Sequence, residues 1–377
     1  MEGYVCYAAK GNKTDEFYRY EYGDSWRART QIPSGPSGKP AYKGCRGVSD
    51  GTRYIYMTKG SKTCEYWRYD AALDSWAQLP DVPFGPSGKP VKSGVDLVYV
   101  TLRDTGFVYM LKGNTSEFLR YNVLTRTWNV LPPAPVSARS GYKEGSWLCY
   151  DDEASIYCHR ASYHEFHRFD MTTGTWDARA LAGMPLLGNS GREKKSRDGS
   201  SAAWYFGRVL AFKGGNTDEY WCYNTATDSW RQRGALPLDG STGKKKRVKS
   251  GADFVRIHRT GIYLVTKGNK TRELWEFAEA EPDRHDIGPD GVQTAAVDVP
   301  RRLADVGSCL GNGRATLAIP ELQEDSRVVV CDAAGRVVRR ASLTAGRINV
   351  SRMAAGVYYV RAYGEGRTSV RRIQIVR

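Results

Sequence analysis

From Ser93 to Leu131 the apolar positions fall into four short runs. Gly94-Val95-Asp96-Leu97-Val98-Tyr99-Val100 is apolar and β-branched, and Thr105-Gly106 marks a turn. Phe107-Val108-Tyr109-Met110-Leu111 is a second run, ended by Lys112-Gly113-Asn114. Glu117-Phe118-Leu119-Arg120-Tyr121 alternates with period two. Thr127-Trp128-Asn129-Val130-Leu131 is the fourth run, and Pro132-Pro133 forbids further ladder pairing. Short runs rich in β-branched and aromatic residues, separated by turn residues, predict a four-stranded antiparallel meander. No amphipathic helical period appears, and no run reaches membrane-spanning length. The expected fold class is all-β.

The same pattern returns along the chain. KGNKTDEFYRY (Lys10–Tyr20) recurs as KGSKTCEYWRY from Lys59, KGNTSEFLRY from Lys112, KGGNTDEYWCY from Lys213 and KGNKTRELWEF from Lys267, with a degenerate copy, HRASYHEFHRF, from His159. One Glu per copy sets the register: Glu16, Glu65, Glu117, Glu165, Glu219 and Glu273, spaced 48 to 54 residues apart. Five copies are followed by a Trp: Trp26, Trp76, Trp128, Trp176 and Trp230. A period near 50 matches a propeller blade, because one meander leaves two apolar faces that only neighbouring blades can cover. Six blades are expected over residues 1–280, the first lacking its first strand and the last its fourth. A start inside a blade, without a basic, apolar leader, reads as a chain whose true beginning lies upstream.

The repeat is similar to kelch repeats and to the central domain of galactose oxidase. The residues that carry this are the Gly pair or Gly-Asn after the second strand (Gly214-Gly215, Gly113-Asn114), the Tyr-Asp or Tyr-Asn after the third (Tyr69-Asp70, Tyr121-Asn122, Tyr223-Asn224) and the Trp of the fourth. The resemblance implies a six-bladed kelch-like β-propeller and is nearly silent on function. The copper chemistry of galactose oxidase finds no counterpart motif among the 5 His of the chain.

Beyond Ala278 the repeat ends. Residues 281–302, with Pro282, Pro289 and Pro300, read as a linker, and from residue 303 onward there is Arg but no Lys. Further strand-like runs over residues 303–377 predict a small immunoglobulin-like β-sandwich. Three stretches resemble the C-terminal sorting domain of the bacterial type IX secretion system: Val330 to Val338 around Gly335, Met353 to Arg361 around Gly356-Val357-Tyr358, and the ending Arg371 to Arg377. That resemblance implies an address tag read by the type IX machinery. It also implies a secreted or outer-surface protein that crosses the periplasm. Tyr358 is expected to place its ring in the sandwich core.

Charge then singles out one face. In a meander, the loop between the second and third strands shares a side with the connection to the next blade. Those loops carry Lys13, Lys62 and Lys270, together with Lys10, Lys59, Lys112, Lys213 and Lys267. The connections carry SGPSGKP with Lys39 and FGPSGKP with Lys89. The formal net charge is +15, and residues 303–377 hold 12 Arg against 6 acidic residues, so the larger part lies on the propeller. Lys13, Lys39, Lys62, Lys89 and Lys270 are therefore expected on one basic face able to hold an acidic polysaccharide or another polyanion. Specific DNA recognition is not expected, since no reading helix is visible.

Other chemistry is thin. GPSGKP is not a phosphate loop, because Pro33 or Pro83 stands where a Gly is required and Pro40 or Pro90 replaces the magnesium-binding hydroxyl. His159, His164 and His167 read as drift in a degenerate repeat rather than a metal site. The recurring Glu, with an Arg three residues on in four copies (Arg19, Arg68, Arg120 and Arg168), is expected to form a ring of ion pairs and backbone hydrogen bonds between blades. No Ser-His-Asp arrangement appears. Asp15, Glu193 and Asp218 are scattered carboxylates without a convincing pair for a glycan-active enzyme. No catalytic residue, cofactor or metal is assigned. Of 8 Cys, Cys149 and Cys158 flank one hairpin and form a candidate disulfide; the rest read as small buried hydrophobes.

Overall fold

The computed structural model describes residues 5–21, 25–137, 141–238, 244–257 and 262–278, and beyond them the strand residues 301–302, 309–310, 316–318, 327–332, 337–342, 347–349, 356–364 and 367–375. Each repeat folds as the meander its pattern predicts. In blade 3, strands Asp96–Leu102, Thr105–Leu111, Phe118–Asn122 and Thr127–Leu131 pair in sequence order, each antiparallel to the next. Blades 2, 4 and 5 repeat this over Arg46–Leu79, Trp147–Trp176 and Ser201–Gln232. Blade 1 has three strands, Val5–Ala9, Phe17–Glu21 and Trp26–Arg29. Blade 6 has Ala252–Arg256, Ile262–Lys267 and Leu274–Ala278, and the two-residue strand Arg301–Arg302 stands fourth in its sheet. That short strand corrects the expectation of a last blade short of a strand; it comes from beyond the repeats and has no Trp. The six sheets form an all-β propeller, and no helix occurs among the described residues.

Period two explains how the blades pack. In the second strand of blade 2, Ile55 and Met57 join the core shared with blade 1, whereas Tyr56 between them joins the core shared with blade 3. The Trp register recurs in space. Trp76 lies 5.0 Å from Tyr69 of its own blade and 5.0 Å from Phe17 of the preceding one. Trp128 lies 5.0 Å from Tyr121 and 5.0 Å from Tyr66, and Trp176 lies 5.1 Å from both Phe169 and Phe118. Each indole donates to a carbonyl at the end of the preceding blade: Trp76 to Thr30 (2.9 Å), Trp128 to Pro80 (3.0 Å), Trp176 to Pro132 (2.9 Å) and Trp230 to Ala182 (2.7 Å). Aromatic pairs of this geometry add about 0.5–1.5 kcal/mol each beyond area burial.

First strands meet around the axis. The guanidinium of Arg46 in blade 2 binds Asp96 of blade 3 at 2.7 Å and Asp253 of blade 6 at 3.0 Å. Asp96 also accepts the Leu148 amide of blade 4. Burial works against the charge on Arg46, but Asp253 and Asp96 outweigh it and hold the guanidinium more firmly protonated. The inner ring thus joins blade 6 to blade 2 by an ion pair, beside the blade that has no inner strand.

The hairpin register also decides the cysteines. Cys149 pairs with Tyr157, and Cys158 with Leu148, one residue out of step. Cys149 faces the core shared with blade 5 and Cys158 the core shared with blade 3. Both thiols are free, which corrects the expected bridge: neighbours in a strand alternate between its faces.

The chain divides into two compact units, one holding Val5–His258 and Tyr263–Trp275, the other the residues from Glu276 on. In the second, a five-stranded sheet runs Cys309–Leu310, Arg367–Ile375, Gly356–Gly364, Arg327–Asp332, Val337–Ser342, and Thr316–Ala318 pairs with Arg347–Asn349. Val328 and Val330 are buried. The rest of the expected immunoglobulin-like sandwich lies outside the described residues.

Candidate binding face

In four of the six loop motifs the first Lys points inward. Lys59, Lys112, Lys213 and Lys267 are fully buried and bind Glu65, Glu117, Glu219 and Glu273 at 3.3, 2.9, 2.7 and 3.1 Å. In the degenerate copy Arg160 takes the place and binds Glu165 at 2.8 Å; in blade 1 Lys10 binds Glu16 at 2.6 Å near the surface. The pair also fastens the connection from the preceding blade. Lys112 donates to the carbonyls of Pro83 and Phe84, and Glu117 accepts the Ser87 amide at 2.7 Å. Likewise Lys59 donates to Ser34, and Glu65 accepts the Ser37 amide at 3.0 Å. Burial alone would push the Glu65 carboxyl up, but Ser37 and Lys59 hold it below its ordinary value. One expectation is corrected here: these four Lys are not on the basic surface. The expected ion pairs and backbone hydrogen bonds between blades form at the Glu, with the buried Lys and not the Arg three positions on as the cation. Positions three apart in a strand face opposite sides, so Arg68 and Arg120 instead lie over Tyr54 and Phe107, while Arg168 binds Asp177.

The expected site lysines are all exposed. Lys13, Lys62 and Lys270 occupy one turn position in three blades, with φ of 64°, 59° and 62°. Lys39 and Lys89 occupy one position in two connections, each amide facing the hydroxyl of the Ser two residues before it. Loop and connection abut: Ser61 donates to the Lys43 carbonyl, and Thr63 bridges to Val91. Lys62 and Lys89 come together, with Lys92 and Lys143, around a groove of about 830 Å³ between blades 2 and 4. Lys13 lies apart, 5.4 Å from the Tyr42 ring, which Lys43 also approaches at 5.9 Å.

A further set of cations recurs in these connections: the sequence pattern does not single out Lys43, Lys92 and Lys143, whereas Arg197 and Lys249 end the basic stretches SGREKKSR and TGKKKRVK. Exposed Lys43, Lys92, Lys143, Arg197 and Lys249 precede the first strands of blades 2 to 6. Each stands one or two residues before a glycine of positive φ: Gly44 (90°), Gly94 (91°), Gly145 (93°), Gly199 (83°) and Gly251 (83°). A Cβ on Gly94 would stand 2.7 Å from the Lys143 backbone, and one on Gly199 2.5 Å from that of Lys249, so blade touches blade at these turns. The recurrent Lys/Arg-x-Gly before a strand was the available signal. Between two of these cations and their glycines stand Glu144 and Asp198, and both meet the Ser250 hydroxyl, at 3.3 and 2.7 Å.

The scattered carboxylates do not assemble. The Asp15 side chain accepts the Ala41 amide, Asp218 lies 3.8 Å from Arg247, and Glu193 is exposed in the connection to blade 5. His159 is buried, stacked on Trp147 and bonded to Ser196 at 2.6 Å; burial pushes its imidazole down to about 3. His167 is buried and His164 exposed, and no metal-holding group of side chains occurs among the described residues.

Residues 312–376 match a protein family described as the secretion system C-terminal sorting domain. The chain carries a type IX sorting tail. It is accordingly a secreted propeller protein, addressed to the cell surface or beyond. No curated protein matches the chain. Solved structures that it resembles include that of YjhT, at 14% identity and a TM-score of 0.49, covering 73% of this chain and 92% of that one. A Bacteroides thetaiotaomicron protein of unknown function is 14% identical with a TM-score of 0.44, covering 70% and 66%. PorZ, an essential surface component of the type IX secretion system of Porphyromonas gingivalis, is 13% identical with a TM-score of 0.38, covering 99% and 51%.

Within the sorting tail, Gly356, Val357 and Tyr358 begin a strand paired with Arg367–Ile375, Tyr358 opposite Ile373. On its other side Tyr358 stands opposite Asp332. The Tyr358 ring, Gly335 and Arg377 lie outside the described residues.

Proposed function

We propose that this protein is a non-enzymatic binding propeller, kelch-like in its repeat, delivered to the outer surface through the periplasm by its type IX tail. There it holds an acidic glycan or another polyanion on the Lys-rich loop face. The observation that carries this is the division of labour among lysines. In four of the six motifs the first Lys is consumed by a buried Glu, whereas Lys62, Lys89, Lys92 and Lys143 gather at a groove with no carboxylate partner among the described residues. Among the described residues Glu117 is the single acidic residue lining that groove, and Lys112 neutralises it. The test is binding of acidic polysaccharides to the full chain over a salt series. Affinity falling steeply with salt is expected from counterion release; salt-insensitive binding, or none, defeats the reading. For the tail, deleting residues 303–377 should abolish surface delivery in a host with the type IX system.

A glycan-active enzyme is the second reading. Glu144 and Asp198 favour it, because they are two carboxylates drawn to one hydroxyl beside the basic loops. Glycosidases place an acid and a base or nucleophile about 5–10 Å apart. Depolymerisation of an acidic glycan, lost in Glu144→Gln and in Asp198→Asn, would favour it over binding alone.

A further inference from the structure

We infer that the groove lined by Lys62, Lys89, Lys92 and Lys143 is a subsite for carboxylated sugars of the hexuronate kind. The inference rests on the polyanion reading above and narrows it to one place and one ligand chemistry.

Four features point there. The first is concentrated charge: Lys62 comes from the loop of blade 2, Lys89 and Lys92 from the connection to blade 3, and Lys143 from the connection to blade 4. None of the four has an ion-pair partner among the described residues, Lys143 lying 5.5 Å from the Tyr163 ring, so an incoming anion displaces no carboxylate. The second is an apolar ledge. Val130 and Val136 are 58% and 40% exposed, and both line the groove with Leu131, Pro86 and Pro133. Val130 is on the outermost strand of blade 3, where Asn129 beside it is also exposed, so folding does not call for an aliphatic group there. Exposed valines that converge on a charged groove suit the C–H face of a pyranose ring.

The third is what the lining omits. No aromatic ring lines the groove among the described residues. Single-stranded nucleic acid takes much of its affinity from base stacking on aromatic side chains, about 1–3 kcal/mol per base, and the groove offers none. The fourth is the polar floor. The Asn114 amide donates to the Ser93 carbonyl, which fixes its direction, and Ser87 and Ser116 stand at the groove surface; the buried Thr115 hydroxyl, donating to the Lys112 carbonyl and accepting from the Glu117 amide, only shapes the floor. Preset neutral donors and acceptors beside cations fit sugar hydroxyls next to a carboxylate. Inorganic polyphosphate would use the cations and leave the ledge idle.

The experiment uses the full chain with three probes: oligogalacturonate, a neutral galactose oligomer of equal length, and inorganic polyphosphate of matched charge. Oligogalacturonate should bind best. The combined variant Lys62→Ser, Lys89→Ser, Lys92→Ser, Lys143→Ser should weaken it by roughly tenfold or more and flatten its salt dependence. Val130→Asn with Val136→Asn should weaken oligogalacturonate several-fold and leave polyphosphate unchanged; this pair keeps the test alive should the four-Ser variant fold poorly. Oligogalacturonate binding that survives the groove variants, yet is lost in Lys13→Ser, Lys39→Ser, Lys270→Ser, overturns the location and leaves the basic-face reading standing. Tighter binding of polyphosphate overturns the sugar assignment alone. If no anion binds, both readings fall.

Discussion

Lys59 and Lys62 lie three residues apart in one loop and do opposite things. Lys59 is fully buried, bound to Glu65 and to the Ser34 carbonyl, and ties the preceding connection to its blade. Lys62 is exposed in a left-handed turn and faces a groove with other unpaired lysines. Lys112 and Lys143, one blade on, divide in the same way. The difference lies in solvent access. A buried ammonium needs its carboxylate, because losing the partner leaves a charge in a low-dielectric interior, whereas a solvated one is free to meet a ligand. A basic composition therefore overstates the binding surface of this propeller by its four buried Lys.

The strongest test of the buried half is to remove one cation. Lys213 lies fully buried between Glu219 and the Leu186 carbonyl; burial pushes its ammonium below the ordinary value, and Glu219 opposes that shift. Lys213→Met should destabilise the protein by about 3–5 kcal/mol, since Glu219 is left buried and unpaired. Adding Glu219→Leu should recover most of the loss, as an apolar pair of similar volume often matches a buried ion pair. Urea unfolding of the two variants checks this. A single variant as stable as the parent would make the pair ornamental.

Acid should separate the two classes next. Glu65 and Glu165 are held below their ordinary value in the fold, so their stabilisation is present above about pH 4.3 and is lost as pH falls through their lower folded values. His159 acts earlier with the same sign. Its folded value, about 3, lies below the ordinary one near 6.5, so the unfolded chain binds the proton first. Stability should decline by up to about 1.4 kcal/mol per pH unit from roughly pH 6.5 downward. Thermal melts across pH 7 to 4 should show this slope, and His159→Gln should flatten its upper part. The groove lysines make no buried ion pair among the described residues, so a groove variant should leave the profile unchanged.

The blades were legible because a meander must bury two faces, and the chain repeats one Glu in all six copies and one Trp in five. The fate of individual lysines was not legible. Loop parity assigns a side of the ring, but burial depends on contacts such as the Ser37 amide to Glu65, made across 28 positions by a neighbouring connection. Which cation the recurring Glu takes was not legible either: it is the buried Lys six or five residues before it, since the Arg three positions on faces the other side of the strand. The disulfide failed by one residue of register. Glu144 and Asp198 went unnoticed because their meeting point, Ser250, belongs to blade 6, more than 50 residues from either.

A smaller effect is expected at the outer strands. Trp128→Phe keeps the ring against Tyr121 and Tyr66 but loses the 3.0 Å bond to the Pro80 carbonyl. A net loss of about 1 kcal/mol is expected, the ordinary worth of one such bond. Trp176→Phe should cost the same, because its bond to Pro132 is equivalent. Unequal losses in chemical unfolding would mean that the repeats share a fold without sharing energetics.

The smallest expected effect is the most telling for the comparison. Lys62→Ser and Lys89→Ser, singly or together, should change stability by no more than about 0.5 kcal/mol, as solvated surface substitutions do. Neither ammonium is paired with a carboxylate among the described residues. The turn around Lys62 is held by Thr63, whose amide and hydroxyl both meet the Gly60 carbonyl, at 2.8 Å each. The Lys89 loop is held by the Ser87 amide on Glu117. Lys62 also sits at φ 59°, so Lys62→Gly should relieve backbone cost and leave stability equal or slightly raised while removing the charge. Urea unfolding of these four variants, run beside Lys213→Met, checks this. A loss at Lys62 or Lys89 as large as at Lys213 would make these lysines structural, and the groove would then lose its claim to a ligand.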